Sequence, residues 1–126
     1  MMDAIFSYLK SDSELSSLLG TPTNPNIYPF EHYGEDDPFI VYSYSPVVSS
    51  EALTQYRVEL RIVSRELTTV QSIEKAVVRL MHFRRKSGFQ HNDETVYNSL
   101  HVGGGMMKNP DNKKYEQFLI FNVTAN

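Results

Sequence analysis

The residues from Tyr56 to Ile62 constrain this chain more than any others. Tyr56, Val58, Leu60 and Ile62 alternate with Arg57, Glu59 and Arg61. Successive side chains of a strand point to opposite faces. The alternation therefore puts the apolar set on one side of a sheet and the charges on the other. A sheet with one wet face is usually antiparallel. The period then changes. Val70, Ile73, Val77, Leu80, Met81 and Arg84 step by three and four, which is one face of an amphipathic helix over about 69–85. Thr68 with Gln71 reads as a capping box at its start. Arg84, Arg85 and Lys86 suit the negative end of the helix dipole, and Gly88 marks a stop.

The flanking segments repeat the same two kinds of pattern. Met2 to Lys10 predicts a short helix with Ile5, Phe6 and Leu9 on one face. Ser11 opens "SDSE", a capping-box spelling with Glu14, before Leu15, Leu18, Leu19 and the stop at Gly20. "TPTNPN" reads as a loop. Ile27 and Tyr28 allow only a brief extended piece, whereas "PFIVYSYS" is a strand that Pro46 ends or places at an edge. "ETVYNSLHV" and "KYEQFLIFNV", joined through the turn-forming "NPDN", read as a long hairpin. In the first, Val96, Asn98, Leu100 and Val102 oppose Tyr97, Ser99 and His101. In the second, Tyr115, Leu119, Phe121 and Val123 oppose Phe118 and Ile120. The predicted fold is a single α+β domain over 1–126. It has an antiparallel β-sheet of about four strands, one long amphipathic helix packed on it, and a short N-terminal helix.

Composition narrows the chemistry. The 126 residues include no cysteine, which excludes disulfides, thiolate metal sites and cysteine nucleophiles. A net charge of −3 is no footprint for duplex DNA. The N-terminal "MMDAIFSYLKSD" lacks the pattern of a signal peptide, and no apolar run is long enough to span a bilayer, so a soluble protein is expected.

Each chemical motif has a plainer reading beside it. "EHYGEDDP" gathers His32, Glu35, Asp36 and Asp37, but consecutive carboxylates splay apart and the alternating calcium-loop spacing is missing. It reads as a solvated turn. His91 and Asp93, with His101 downstream, imply no third zinc ligand by spacing, and His82 sits among basic residues. "VGGGMMKN" is no phosphate loop, because Lys108 is followed by Asn109 and Pro110 rather than by Ser or Thr opening a helix. Its glycines read as a bulge, a mobile strand extension or a close backbone approach. Met106 and Met107 suit either a contact surface or the core. No G-x-S-x-G elbow is present. The charged Arg57, Glu59 and Arg61 face fits a solvated sheet and an interface equally well.

The order of these blocks resembles the small tail-completion and tail-terminator proteins of long-tailed bacteriophages and prophages. The resemblance rests on Leu9, Asp12, Leu15, Leu18, Leu19 and Gly20, then on Ile27, Tyr28 and Pro29, then on Pro38, Phe39, Ile40 and Val41. It implies a structural protein with no catalytic residues and no cofactor. Such a protein would assemble in the host cytoplasm and reside at the tail–head junction of the virion. Its partners would be itself, as a ring that is commonly hexameric, the tail-tube protein it caps and the head connector it joins. The acidic loop from Glu31 to Asp37 and the triple glycine have no counterpart in that pattern. Candidate interface residues are Glu35, Asp36, Asp37, Arg57, Glu59, Arg61, Met106, Met107 and Lys108. Two alternatives stand beside this reading. One is a head-completion, neck or minor capsid protein. The other is a single-stranded nucleic-acid module stacking bases on Tyr42, Tyr44, Tyr56 and Tyr97, which the net charge disfavours.

Overall fold

A computed structural model describes residues 2–21, 23–84 and 88–126. Helix α1 (Met2–Lys10) and helix α2 (Ser13–Leu18) lead into a small ribbon of β1 (Gly20–Thr21) and β2 (Asn24–Pro25). Next come β3 (Ile27–Pro29), β4 (Phe39–Ser49), β5 (Thr54–Ser64) and helix α3 (Leu67–Met81). Strands β6 (Phe89–His91), β7 (Glu94–Lys108) and β8 (Tyr115–Ala125) complete the chain. The main sheet has six strands in the order β3-β4-β5-β8-β7-β6.

This corrects the expected fold class. The protein is mostly β, with a curled, mixed six-stranded sheet, a second two-stranded sheet and only about 24% helix. Two short strands make the difference. Ile27, Tyr28 and Pro29 pair in parallel with Ile40, Val41 and Tyr42, so the brief extended piece is a sheet member. Phe89 to His91 pairs antiparallel with Glu94 to Val96 around Asn92, which holds φ 53. His91 therefore lies in a strand and not in a loop. Asn followed by Asp is two-residue hairpin chemistry, because both tolerate the left-handed turn.

The alternation in β5 is realised directly. Val58, Leu60 and Ile62 are fully buried beside Ile40 and Tyr42 of β4 and Leu119 and Phe121 of β8. Helix α3 covers this face through Val70, Ile73, Ala76, Val77 and Met81. Val70, Ile73, Val77 and Met81 each contribute about 1.5–3 kcal/mol on burial, which orients the helix on the sheet. Helix α1 adds Ile5 and Leu9. Its Tyr8 stacks on Phe89 with centroids 4.0 Å apart and donates its hydroxyl to the Leu80 carbonyl at 2.8 Å. Arg79 reaches Asp12 at 3.1 Å and Glu14 at 3.5 Å, tying α3 to α2.

Helix ends fall elsewhere than the sequence pattern places them. Helix α3 starts at Leu67 after Glu66, with no side-chain cap, so Thr68 and Gln71 form no capping box. It ends at Met81 because Phe83 leaves to bridge Ser99 of β7 through backbone bonds of 2.8 and 3.0 Å. Arg84 lies beyond the helix, and Arg85 and Lys86 fall outside the described residues. The cap of α2 is Asp12 and not Ser11; its carboxylate accepts from the Leu15 amide at 2.9 Å.

Strand β7 departs from strict alternation twice. Its register shifts between Val96 and Asn98 and again between His101 and Gly103. Each bulge inserts one residue and flips the faces. Val96 and Ser99 therefore share the buried face although their numbers differ in parity. Pro46 sits within β4 where that strand is an edge, next to a third shift between Pro46 and Val48.

Candidate assembly surface

Phe30 follows β3 with φ 62 and turns the chain back, its amide donating to the Tyr42 carbonyl at 2.7 Å. His32 then stacks on Tyr28, with centroids 3.6 Å apart, and meets Phe39 edge-on at 4.9 Å. Asp36 closes this clasp by pairing with His32 Nε2 through one oxygen and accepting the Tyr28 hydroxyl on the other. Asp37 accepts from the Ser64 hydroxyl at 2.7 Å and from the Arg65 amide at 3.0 Å. Glu35 remains exposed. The acidic stretch is thus not simply a solvated turn. Two of its three consecutive carboxylates hold the loop against the sheet and against the β5–α3 junction.

Burial pulls the Asp36 carboxyl upward, but hydrogen bonds from Tyr28 and His32 outweigh it and hold the group below its ordinary value. Burial, and then the hydrogen bond to Asp36, pushes the Tyr28 hydroxyl up to about 12. A depressed carboxyl pKa stabilises the folded loop above the ordinary carboxyl range, and that contribution fades as pH falls through the lowered value. A raised tyrosine pKa stabilises it below the ordinary tyrosine value and is lost as pH rises through about 12. Asp36→Asn is therefore expected to speed proteolytic cleavage of the loop at neutral pH roughly tenfold, the equivalent of one charged hydrogen bond. It should also flatten the acid-side pH dependence of cleavage. Wild-type cleavage rates in the variant across pH 3–7 would remove the clasp from the account.

Arg57, Glu59 and Arg61 lie on the sheet face opposite α3, as the alternation implies. Arg57 is exposed, while Glu59 and Arg61 are half-buried. Arg61 pairs with Glu116 at 3.5 Å. It also borders a hollow of about 80 Å³ with Phe30, Val41, Ser43, Glu59 and Phe118. Met106, Met107 and Lys108 end β7. Both methionines are exposed, and the Lys108 ammonium lies 5.1 Å from the Tyr115 ring. The triple glycine forms a bulge and a close approach together. The register shifts at Gly103, and Gly104, at φ +151, sits so near Phe118 that a Cβ would overlap its carbonyl oxygen.

These candidates do not converge into one pocket. Met107 lies across the sheet from Glu116, Val63 and Phe39, so the β7–β8 turn and the acidic loop share one end of the sheet at opposite edges. Arg57 to Arg61 lies between them. The opposite end carries the β4–β5 turn, with exposed Val47, Val48 and Leu53, which the sequence reading missed. The signal was there: two consecutive valines cannot both face a core in a strand. Tyr42 is buried, and Tyr44 and Tyr56 pack against the core and meet each other edge-on, with centroids 5.9 Å apart. They offer no open platform for stacking bases. Among the described residues, no three His, Asp or Glu side chains gather as metal ligands, and no helix is long and apolar enough to cross a membrane.

The same architecture occurs in a chain of the virion of a native gene transfer agent particle. It superposes with a TM-score of 0.73 at 10% identity, covering 96% of this chain and 90% of that one. No curated protein matches the sequence. The family model for tail completion protein gp17 matches residues 3–112. The chain belongs to that family and has a structural role in tail assembly.

Proposed function

We propose that the protein closes the head-proximal end of the tail tube as a ring of identical copies and offers its other rim to the head connector. The observation that carries this reading is the placement of the two hairpin turns. The β4–β5 turn at residues 50–53 and the β7–β8 turn at residues 109–114 lie at opposite ends of one sheet. With the strands running across the ring wall, one turn faces each rim, and each rim meets a different partner. Tube and connector contacts are then chemically distinct. Exposed Leu53 serves one rim, and exposed Asp111 and Asn112 serve the other.

Electron microscopy of particles made without this protein tests the reading. Overlong or headless tails with filled, intact heads are expected. Empty or leaking heads with normal tails would overturn it in favour of head completion. Light scattering of the purified protein should report a multiple of the 14.5 kDa chain mass. A homomeric contact that is head-to-tail closes a ring when its rotation permits.

A further inference from the structure

The two edges of the main sheet are stepped, and the steps match. Beside β4, strand β3 covers only Ile40 to Tyr42, leaving Ser43 to Ser49 with no neighbouring strand on that side among the described residues. Beside β7, strand β6 covers only Glu94 to Val96, Phe83 bridges Ser99 and the His101 amide donates to His82 Nδ1 at 3.1 Å, which leaves Val102 to Lys108 with no neighbouring strand among the described residues. The covered part of one edge lies level with the open part of the other. Residues Ile40 and Tyr42 align through β5 and β8 with Met106 and Gly104, and Ser49 aligns with Val96. The sheet is thus four full strands wide, with a partial fifth strand at each end, on opposite edges.

Strand direction agrees as well. Strand β3 is parallel to β4. Strand β6 is separated from β4 by four antiparallel pairings, so it too runs parallel to β4. The two partial strands can therefore share one lane between neighbouring copies. Unpaired strand edges are templates for added strands, and Pro46 lacks a donor where the lane passes beside it.

We propose that copies of this chain join head to tail by this lap joint. The neighbour's β6 and Phe83 segment lie beside the open half of β4, and β3 lies beside the neighbour's open half of β7. The joint supplies the contact between copies on which the ring reading rests. Exposed apolar groups fall where it needs them, with Val47 and Val48 on one open half and Met106 and Met107 on the other. Charge agrees too. The loop bearing Glu31, Glu35, Asp36 and Asp37 extends from β3, and it would face the neighbour's Lys108 and Lys113 at the same sheet end. A two-fold contact of β4 with β4 would leave both β7 edges open, whereas the head-to-tail joint closes both edges with one interface.

The absence of cysteine makes the test clean. Val48→Cys and Gln90→Cys, both at exposed positions, are made in separate chains, mixed and treated with a short bis-maleimide. A linked dimer is expected in the mixture and in neither variant alone, and a ladder is expected from the double variant. Lys108→Glu should weaken association about tenfold, and Glu35→Lys in the same chain should restore it. A multimer by light scattering without the mixed link would overturn the lap joint and leave the ring. Linking of Val48→Cys chains to each other alone would replace it with a two-fold contact. A monomer at every concentration, with no link, would overturn joint and ring together.

Discussion

Gly104→Val is expected to destabilise the protein by about 3 kcal/mol or more, lowering the melting temperature by roughly 10 °C. The residue holds φ +151, where a β-branched side chain is strained, and its added Cβ would overlap the Phe118 carbonyl oxygen across the β7–β8 ladder. Backbone atoms cannot swing aside as a side-chain tip can, so β7 would have to lift away from β8. Gly103 and Gly105 make the control. A Cβ at either meets nothing within 4 Å, so alanine there should stay within about 0.5 kcal/mol. Thermal melts followed by circular dichroism separate the cases. Equal shifts at all three glycines would mean that the close approach to Phe118 does not govern the arm.

Phe121→Ala is expected to be at least as severe, at about 3–5 kcal/mol. Phe121 is fully buried on the central strand β8, between Val58 of β5 and His101 of β7, whose ring centroid lies 5.2 Å away. With strands on both sides and α3 above, the site has little room to collapse, so most of the cavity would persist. A domain of this size has about 5–15 kcal/mol of stability in all, so the variant should sit near its unfolding threshold at 37 °C. Urea titration should show a lower midpoint at unchanged slope. Arg57→Ala, on the exposed part of the opposite face, should move the midpoint little. A drop below 1 kcal/mol for Phe121→Ala would place the core elsewhere.

What could be read from the sequence divides by the range of the interaction. Helix α1 and the alternation of β5 were legible residue by residue, because each rests on one periodicity with a hydrophobic face. The six-stranded sheet was not, because β3 and β6 are three residues each and exist through pairing with distant or turn-linked partners. The end of α3 at Met81 was hidden for the same reason, since Phe83 is drawn away by Ser99. Met106, Met107 and Lys108 stood out as candidates, with the methionines left open between a contact surface and the core; all three are exposed. The arrangement around the candidates was not legible. Whether Asp36 is solvated or clasped depends on Tyr28 eight positions earlier, and the stepped edges appear only once strand order and register are known.

The two bulges of β7 have a consequence for how this chain can change length. Each shifts the inside-to-outside phase of the strand by one, and together they cancel, so Val96 and Gly104 are back in step. Tyr97 and Val102 have no partner opposite them, so each bulge stores one residue outside the ladder. Loss of either would remove its bulge and leave every other residue of β7 paired with β8 as before and on its present face. The strand can therefore shorten by one residue at either point without turning its faces over.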